Sequence, residues 1–381
     1  MSGARDPAPT ATAPDAGGRP GSGLVEALAR LLPVFAIAAA AVFLGATLAV
    51  AGDTLGYDFR AYWAAGSRVL AGQPAYDTTY QAAGGFGLFY YPPTFIPLVL
   101  PFALLPEMAA VWTWTALSIA ALVGGIALLP VSARIRWSIA LLAAVSWPAL
   151  YAVKLGQVGP LLLLLFAAGW RWNELPGMTG WTGGVGAAVK IQPGTILVWA
   201  LVRRRFHDVA RGAAVLVVLA LFATWLAGLS AWGVFLTLIG RVSDPIATPH
   251  NFTVGAVAYQ AGVPRDAAAL LQWASMAVAV VILVVAALRL SAVSSYMVAL
   301  IASQLLSPIL WDHYAMLLLV PVAWLLSRGW WWTALIPLAT SVLLVGVIPP
   351  AVYPAAFWVT LLAVVAAGQN DAARSQAVQT R

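Results

Sequence analysis

Beyond residue 30 the chain reads as apolar runs separated by short polar breaks. The runs cover roughly 31–51, 107–130, 137–153, 157–170, 178–190, 193–202, 209–229, 266–288, 292–309, 313–327, 331–348 and 354–368. A straight helix needs about 20 apolar residues to cross the hydrocarbon core. Several runs fall short of that. The pattern therefore predicts an all-α polytopic membrane protein with about a dozen transmembrane segments, some of them broken. The clearest break is Lys190-Ile191-Gln192-Pro193, where two half-length helices meet at a proline. Such a junction is tolerated at membrane depth only against protein or a water-filled cavity. Residues 93–106 carry Pro93, Pro97, Pro101 and Pro106 and are expected to form a partial or surface element rather than a span.

The polar stretches divide the chain further. The longest is 52–92. Within it, Phe59 to Leu70 has the spacing of a short amphipathic helix lying on the membrane surface. Ala71-Gly72-Gln73-Pro74 ends that helix, and Phe89-Tyr90-Tyr91-Pro92-Pro93 leads back into the bilayer. Residues 1–30 are rich in Pro, Gly and Ala and are expected to be a disordered cytoplasmic segment. The run after Arg30 is long enough to stay as an anchor, unlike a signal peptide. This gives a transmembrane domain over 31–368, with 52–92 as its first outer loop, and a cytoplasmic tail over 369–381.

Composition agrees. The 381 residues are 62% hydrophobic and 9% charged, with mean hydropathy +0.89, against roughly 25% charged in soluble domains. The net charge of +7 is no nucleic-acid signal, because basic residues mark cytoplasmic loops in a membrane protein and no basic-aromatic groove pattern is present. The absence of cysteine excludes disulfides, thiolate metal sites and cysteine nucleophiles.

Topology follows from Lys and Arg. With the N-terminus inside and each run crossing once, Arg60, Arg68, Lys154, Lys190, Arg241 and Arg265 fall outside, and the other 14 of 20 fall inside. That is a positive-inside bias. Asp58, Lys154-Leu155-Gly156-Gln157, Lys190, His250-Asn251 and Asp312-His313 then collect at the outer face. Gly56-Tyr57-Asp58-Phe59-Arg60-Ala61-Tyr62-Trp63 stands where the first span leaves the bilayer. An acid, a base and several rings there suit a charged, lipid-borne substrate, and they suit an interfacial anchor equally.

At these residues the chain resembles the polyprenol-phosphate-sugar-dependent glycosyltransferases of family 87, which have a GT-C fold and include an α-1,2-mannosyltransferase of mycobacterial phosphatidylinositol mannosides. The resemblance rests on Asp58-Phe59-Arg60-Ala61-Tyr62-Trp63-Ala64-Ala65-Gly66, Leu70-Ala71-Gly72-Gln73-Pro74-Ala75-Tyr76-Asp77, and Tyr91-Pro92-Pro93. It continues through Gly156-Gln157, Lys190-Ile191-Gln192-Pro193, His250-Asn251-Phe252-Thr253 and Ser307-Pro308-Ile309-Leu310-Trp311-Asp312-His313-Tyr314. One departure is Val158-Gly159-Pro160 after Gln157, where relatives often carry Asn. The resemblance implies an active site at the extracytoplasmic face, a β-linked sugar on a polyprenyl phosphate as donor, and transfer with inversion.

Inverting transfer needs one general base for the acceptor hydroxyl, since lipid phosphate is already a good leaving group. The family carries its catalytic acidic residue at the position of Asp58. The matching motif implies His313 as a partner of the leaving phosphate, whose charge grows in the transition state. Lys190 is a second candidate, because a lysine between half-helices is costly unless it lines a cavity, pairs or snorkels. Arg60 and Arg68 suit phosphates or simply a solvated face. Gln157, His250 and Asn251 suit sugar hydroxyls, although Asn and His also favour loops. Tyr62, Trp63 and Tyr91 suit stacking on a sugar or lipid chain, or an aromatic belt.

No cofactor is expected. Carboxylates and histidines at metal-binding spacing are missing, as are a P-loop and a dinucleotide fingerprint. The expected partners are a polyprenyl-phosphate-sugar donor, a glycolipid or glycan acceptor and the lipid bilayer, with no nucleic acid. The expected setting is a bacterial plasma membrane. The rival class is a transporter or flippase of lipid-linked sugars, which broken helices also suit.

Overall fold

The computed structural model describes residues 22–77, 88–241, 245–341 and 349–379, and the regular structure among them is entirely helical. Five helices are long and apolar enough to cross a membrane: Arg30–Thr54, Glu107–Leu128, Phe206–Ala227, Arg265–Arg289 and Val352–Asp371. The pair Ala133–Val145 and Trp147–Leu155, bent by 65°, makes a sixth if it counts as one span. Other apolar helices, such as Gly159–Arg171 and Ala292–Leu305, are shorter than a straight span. Length thus supports five or six full spans among the described residues rather than a dozen.

Proline accounts for two of the breaks. A proline inside a helix lacks an N–H and collides with the carbonyl four residues earlier. Pro148 would meet Ala144, and the helix stops at Val145. Pro193 would meet Val189, and the helix Met178–Val189 stops there. Lys190 follows in an extended conformation, with φ −148° and ψ 130°, before the helix Thr195–Val202 resumes.

The centre of the bundle is built from Ala292–Leu305, buried at every position from Ser294 to Leu305, and Leu319–Leu326, buried throughout. A helix apolar all round belongs in such an interior. Phe206–Ala227 and Arg265–Arg289 lie outermost, leaving Leu221, Trp225 and Trp273 exposed as lipid-facing surface. Small residues let helices approach closely: a Cβ on Gly184 would lie 2.7 Å from the carbonyl oxygen of Gly212.

The helix termini mark two ends of the molecule. Gly159–Arg171, at about 1.5 Å per residue, separates them by about 20 Å. Gly56, Lys154 and the Gln192–Ser307 contact mark one end. Arg203, bonded to the carbonyls of Ala287 and Leu290, and Arg328, paired with Asp371, mark the other. The proline-rich stretch begins and finishes at the first end. Thr94 donates to the Ala188 carbonyl and Trp63 to that of Leu105, so the short helix Ile96–Ala103 between them is re-entrant.

Several boundaries differ from the sequence expectation. The first helix starts at Ser22, inside the stretch expected to be disordered, and residues 1–21 lie outside the described residues. The last helix, Val352–Gln379, continues through the expected tail. The helix expected from residue 209 starts earlier, at Phe206, and takes His207 into its first turn. Ser230–Arg241 and Val254–Gln260 are further helices, between the runs that hydropathy picks out. Residues 78–87, within the expected outer loop, and 342–348 lie outside the described residues.

Candidate active site

Two left-handed glycines lock the chain breaks around Asp58. Gly56, at φ 69°, precedes the surface helix Tyr57–Leu70, and its N–H donates to the Lys154 carbonyl at 2.8 Å. Gly156, at φ 68°, ends the helix Trp147–Leu155. A Cβ there would sit 2.6 Å from the Cβ of Phe59, so only glycine meets both the turn and the contact. The Gly156 carbonyl accepts from Trp114 Nε1 at 2.8 Å, and Trp114 stacks on Phe59 with centroids 5.0 Å apart. This junction sets Asp58, in the first turn of the surface helix, opposite Gln157.

A one-way chain of donors ends on Asp58. The Tyr62 hydroxyl donates to the Tyr91 hydroxyl at 2.6 Å, and Tyr91 donates to Gln157 Oε1 at 2.9 Å. With Oε1 occupied, the Gln157 amide nitrogen faces Asp58 and donates to its Oδ2. Tyr62, Tyr91 and Gln157 are buried, whereas Asp58 is half-buried. Each member polarises the next, and the chain requires an acceptor at its end.

Lys190 and His313 stand close to the same carboxylate. Lys190 Nζ lies 4.1 Å from the ring centroid of Tyr314 and 5.7 Å from that of Tyr91, within cation–π range. The Tyr314 and His313 rings are 5.0 Å apart at their centroids. His313 is buried, and neither ring nitrogen has a hydrogen-bond partner among the described residues. Its Nδ1 is 3.6 Å from Asp312 Oδ1, beyond hydrogen-bond reach. Burial holds the Asp58 carboxyl above the ordinary carboxylate range, while His313, the Gln157 hydrogen bond and Lys190 pull it back toward the charged form. The start of the surface helix favours that charge as well.

Other expected site residues are committed elsewhere. Arg60 pairs with Glu107 and ties the surface helix to Glu107–Leu128. Arg68 pairs with Asp77 at 3.3 Å and donates to the Pro74 carbonyl at 2.7 Å, closing its own loop. In this structure both arginines are held in these ion pairs. Asn251 is fully buried. Its Oδ1 accepts from Thr253 N and Leu310 N, and its Nδ2 donates to the Pro308 carbonyl. It is a latch between two loops, which corrects its expected role on sugar hydroxyls. His250, exposed at φ 58°, has no hydrogen bond or ring contact to the Asp58 group among the described residues. Trp63 is spent on the Leu105 carbonyl.

Tyr314, Trp114 and Tyr353 join the site without having been singled out by sequence. Tyr353 donates to the Trp311 carbonyl at 2.7 Å and accepts from Ala315 N at 2.9 Å, which fixes the segment bearing His313. Tyr314 had a signal, since it adjoins His313 in the quoted motif. Trp114 offers only an aromatic residue inside an apolar run, and Tyr353 one just before the last run.

Fold and site together define a polytopic helical membrane protein whose polar side chains converge on one carboxylate at one end of the bundle. Sequence comparison supplies the family. The profile of glycosyltransferase family 87 matches residues 89–318, well over half of the chain, and the chain belongs to that family. It is a membrane glycosyltransferase. The matched segment includes Tyr91, Gln157, Lys190 and His313, whereas Asp58 and Tyr62 precede it. No curated protein and no solved structure matches the chain.

Proposed function

We propose that this glycosyltransferase moves a hexose, with mannose in α-1,2 linkage as the first candidate, from a polyprenyl-phosphate carrier to a lipid-linked or envelope glycan. The reaction inverts the anomeric centre. Asp58 is the general base: it takes the acceptor hydroxyl proton on Oδ1 while Gln157 holds Oδ2. The acceptor oxygen bonds to the anomeric carbon, the bond from that carbon to phosphate oxygen breaks, and the lipid phosphate leaves with the electron pair. Lys190 neutralises the charge that grows on that phosphate, and His313 donates a hydrogen bond to it. The scheme invokes no metal. Because the arginine-rich end reads as cytoplasmic, the reaction belongs to the extracytoplasmic face of a bacterial plasma membrane.

The observation that carries this reading is the donor chain from Tyr62 through Tyr91 and Gln157 to Asp58. A carboxylate held on one oxygen and open on the other is prepared to accept a proton. The test is Asp58→Asn in the purified full chain, with synthetic polyprenyl-phosphate mannose and a lipid acceptor. Turnover is expected to fall at least about 100-fold with an unchanged unfolding temperature. Retained transfer overturns the role of Asp58. A wild-type chain inert with every polyprenyl-phosphate sugar overturns the donor.

The broken helix at Lys190 also suits a carrier of lipid-linked sugars. The two readings separate in proteoliposomes, where a carrier moves labelled lipid-linked sugar between leaflets without extending any acceptor.

A further inference from the structure

At the end remote from Asp58, a cleft of about 500 Å³ opens between the turn after Gly159–Arg171 and the start of Phe206–Ala227. That volume is in the range of small-molecule sites, about 300–1,000 Å³. Asn173, Glu174, Arg204, Arg205, His207 and Asp208 line it. Two of these are fully engaged. Arg205 donates through Nε to Asp208 at 2.6 Å and through Nη1 to Asn173 Oδ1 at 3.0 Å. Asp208 also accepts from Thr179 Oγ1 and Gly180 N.

What is left over is mostly donors. Asn173 is 2% exposed, and its Nδ2 has no partner, which is costly for a buried amide. Arg203 and Arg205 are both bonded, but the Arg204 guanidinium has no hydrogen bond or ion pair among the described residues. Its backbone is left-handed, at φ 59°, because Arg204 closes the end of the helix Thr195–Val202: Arg204 N donates to the Leu201 carbonyl and Arg205 N to that of Ala200. His207 is exposed beside it, and the positive end of the Phe206–Ala227 dipole borders the cleft. Phe206 and Leu175, 63% and 52% exposed, form an apolar rim.

We infer that this cleft binds a phosphoryl group. Arg204 supplies charge, His207 supplies a further donor, Asn173 Nδ2 stands unpartnered beneath the lining, and the rim accommodates an acyl chain if the phosphate is that of a membrane lipid. The same donors would take free phosphate. Glu174 is the one unpaired anion in the lining and weakens the field without abolishing it.

The test uses the detergent-purified full chain, titrated in separate arms with short-chain phosphatidylglycerol and with inorganic phosphate. Unfolding temperature and native mass spectrometry are the readouts. A saturable effect from the lipid alone identifies a lipid site, and one from phosphate as well shows that the phosphoryl group suffices. Saturation by neither overturns the inference. Arg204→Gly is expected to weaken binding about tenfold, as for one hydrogen bond between charged groups. It should not lower the ligand-free unfolding temperature, because glycine relieves the left-handed backbone. Glu174→Gln is expected to tighten binding. An Arg204→Gly chain that binds like the parent, or a Glu174→Gln chain that binds no more tightly, overturns the inference.

Discussion

Asp58 and Asp208 occupy the same local position, the first turn of a helix, at opposite ends of one bundle. They are kept very differently. Asp208 is 2% exposed and takes three donors: Thr179 Oγ1 and Gly180 N on one oxygen, Arg205 Nε on the other. Asp58 is half-buried and takes one hydrogen bond, on Oδ2. Lys190 and His313 stand near it without touching it: the lysine leans on rings, and the ring nitrogens of the histidine have no partner among the described residues. A saturated carboxylate has nothing left to offer a substrate. An unsaturated one carries an unmet demand, and that is what acid–base chemistry uses. Saturation, rather than charge or position, separates the carboxylate that holds the fold from the one proposed to act.

The sharpest test of that contrast crosses the two variants. Asp58→Asn is the activity variant described above. Asp208→Ala should do the reverse. It leaves Arg205 Nε, the Thr179 hydroxyl and the Gly180 N–H without their acceptor, Arg205 keeping only its bonds to Asn173, and stripping one partner from a buried ion pair costs about 3–5 kcal/mol. The expected result is a large fall in unfolding temperature, with turnover per folded molecule preserved in a thermal melt and parallel assay. If Asp208→Ala melts like the parent, or Asp58→Asn melts early, saturation is no guide to role.

Gln157 sharpens the comparison at a smaller scale, because among the described residues it is the one hydrogen-bonding partner of Asp58. The hydrogen bond lowers the Asp58 pKa against the dominant effect of burial. Gln157→Leu removes it, and the carboxyl rises further. Asp58 works in its ionised form, so activity is lost as pH falls through its pKa. The parent should therefore show an acid limb above the ordinary carboxylate range, and in Gln157→Leu that limb should move to higher pH. A pH profile of kcat/KM checks both statements. An unmoved limb would separate Gln157 from the titration of Asp58. The same shift bears on stability: with the folded pKa raised, Asp58 favours the fold below its unfolded pKa, and that contribution is lost as pH rises through the folded value.

Much of this was legible in the sequence because its causes are local. Pro148 and Pro193 forbid the carbonyls of Ala144 and Val189 their helical partners; the break at Lys190 is legible directly, whereas the one at Ser146 lies hidden inside the apolar run 137–153. The gathering of Asp58, Gln157, Lys190 and His313 at one end follows from the charge bias of the loops together with the alternation of helix direction. What was not legible depends on distance in space. Arg60 meets Glu107 across 47 positions, and Asn251 meets Leu310 across 59. No spacing announces either pairing, so residues of binding type turned out to be structural ties. Ser230–Arg241 escaped the hydropathy reading because it is amphipathic and shorter than a span.

The smallest expected effect tests one of those ties. The Arg60 and Glu107 side chains are 30% and 38% exposed, so water screens the pair. Exposed pairs contribute about 0.2–1 kcal/mol. Arg60→Met keeps much of the aliphatic stem against Glu107–Leu128 and removes only the charge, so the unfolding temperature should fall slightly or not at all. The informative quantity is KM for the polyprenyl-phosphate donor. If Arg60 is a tie between helices, KM and its salt dependence stay at the parent's values, because no phosphate contact has been removed. If Arg60 swings from Glu107 to the donor phosphate during turnover, KM rises and its salt dependence weakens while the melt stays flat. That second outcome would move Arg60 from the class of Asp208 to the class of Asp58, and would show that a partner seen at rest does not commit a side chain during catalysis.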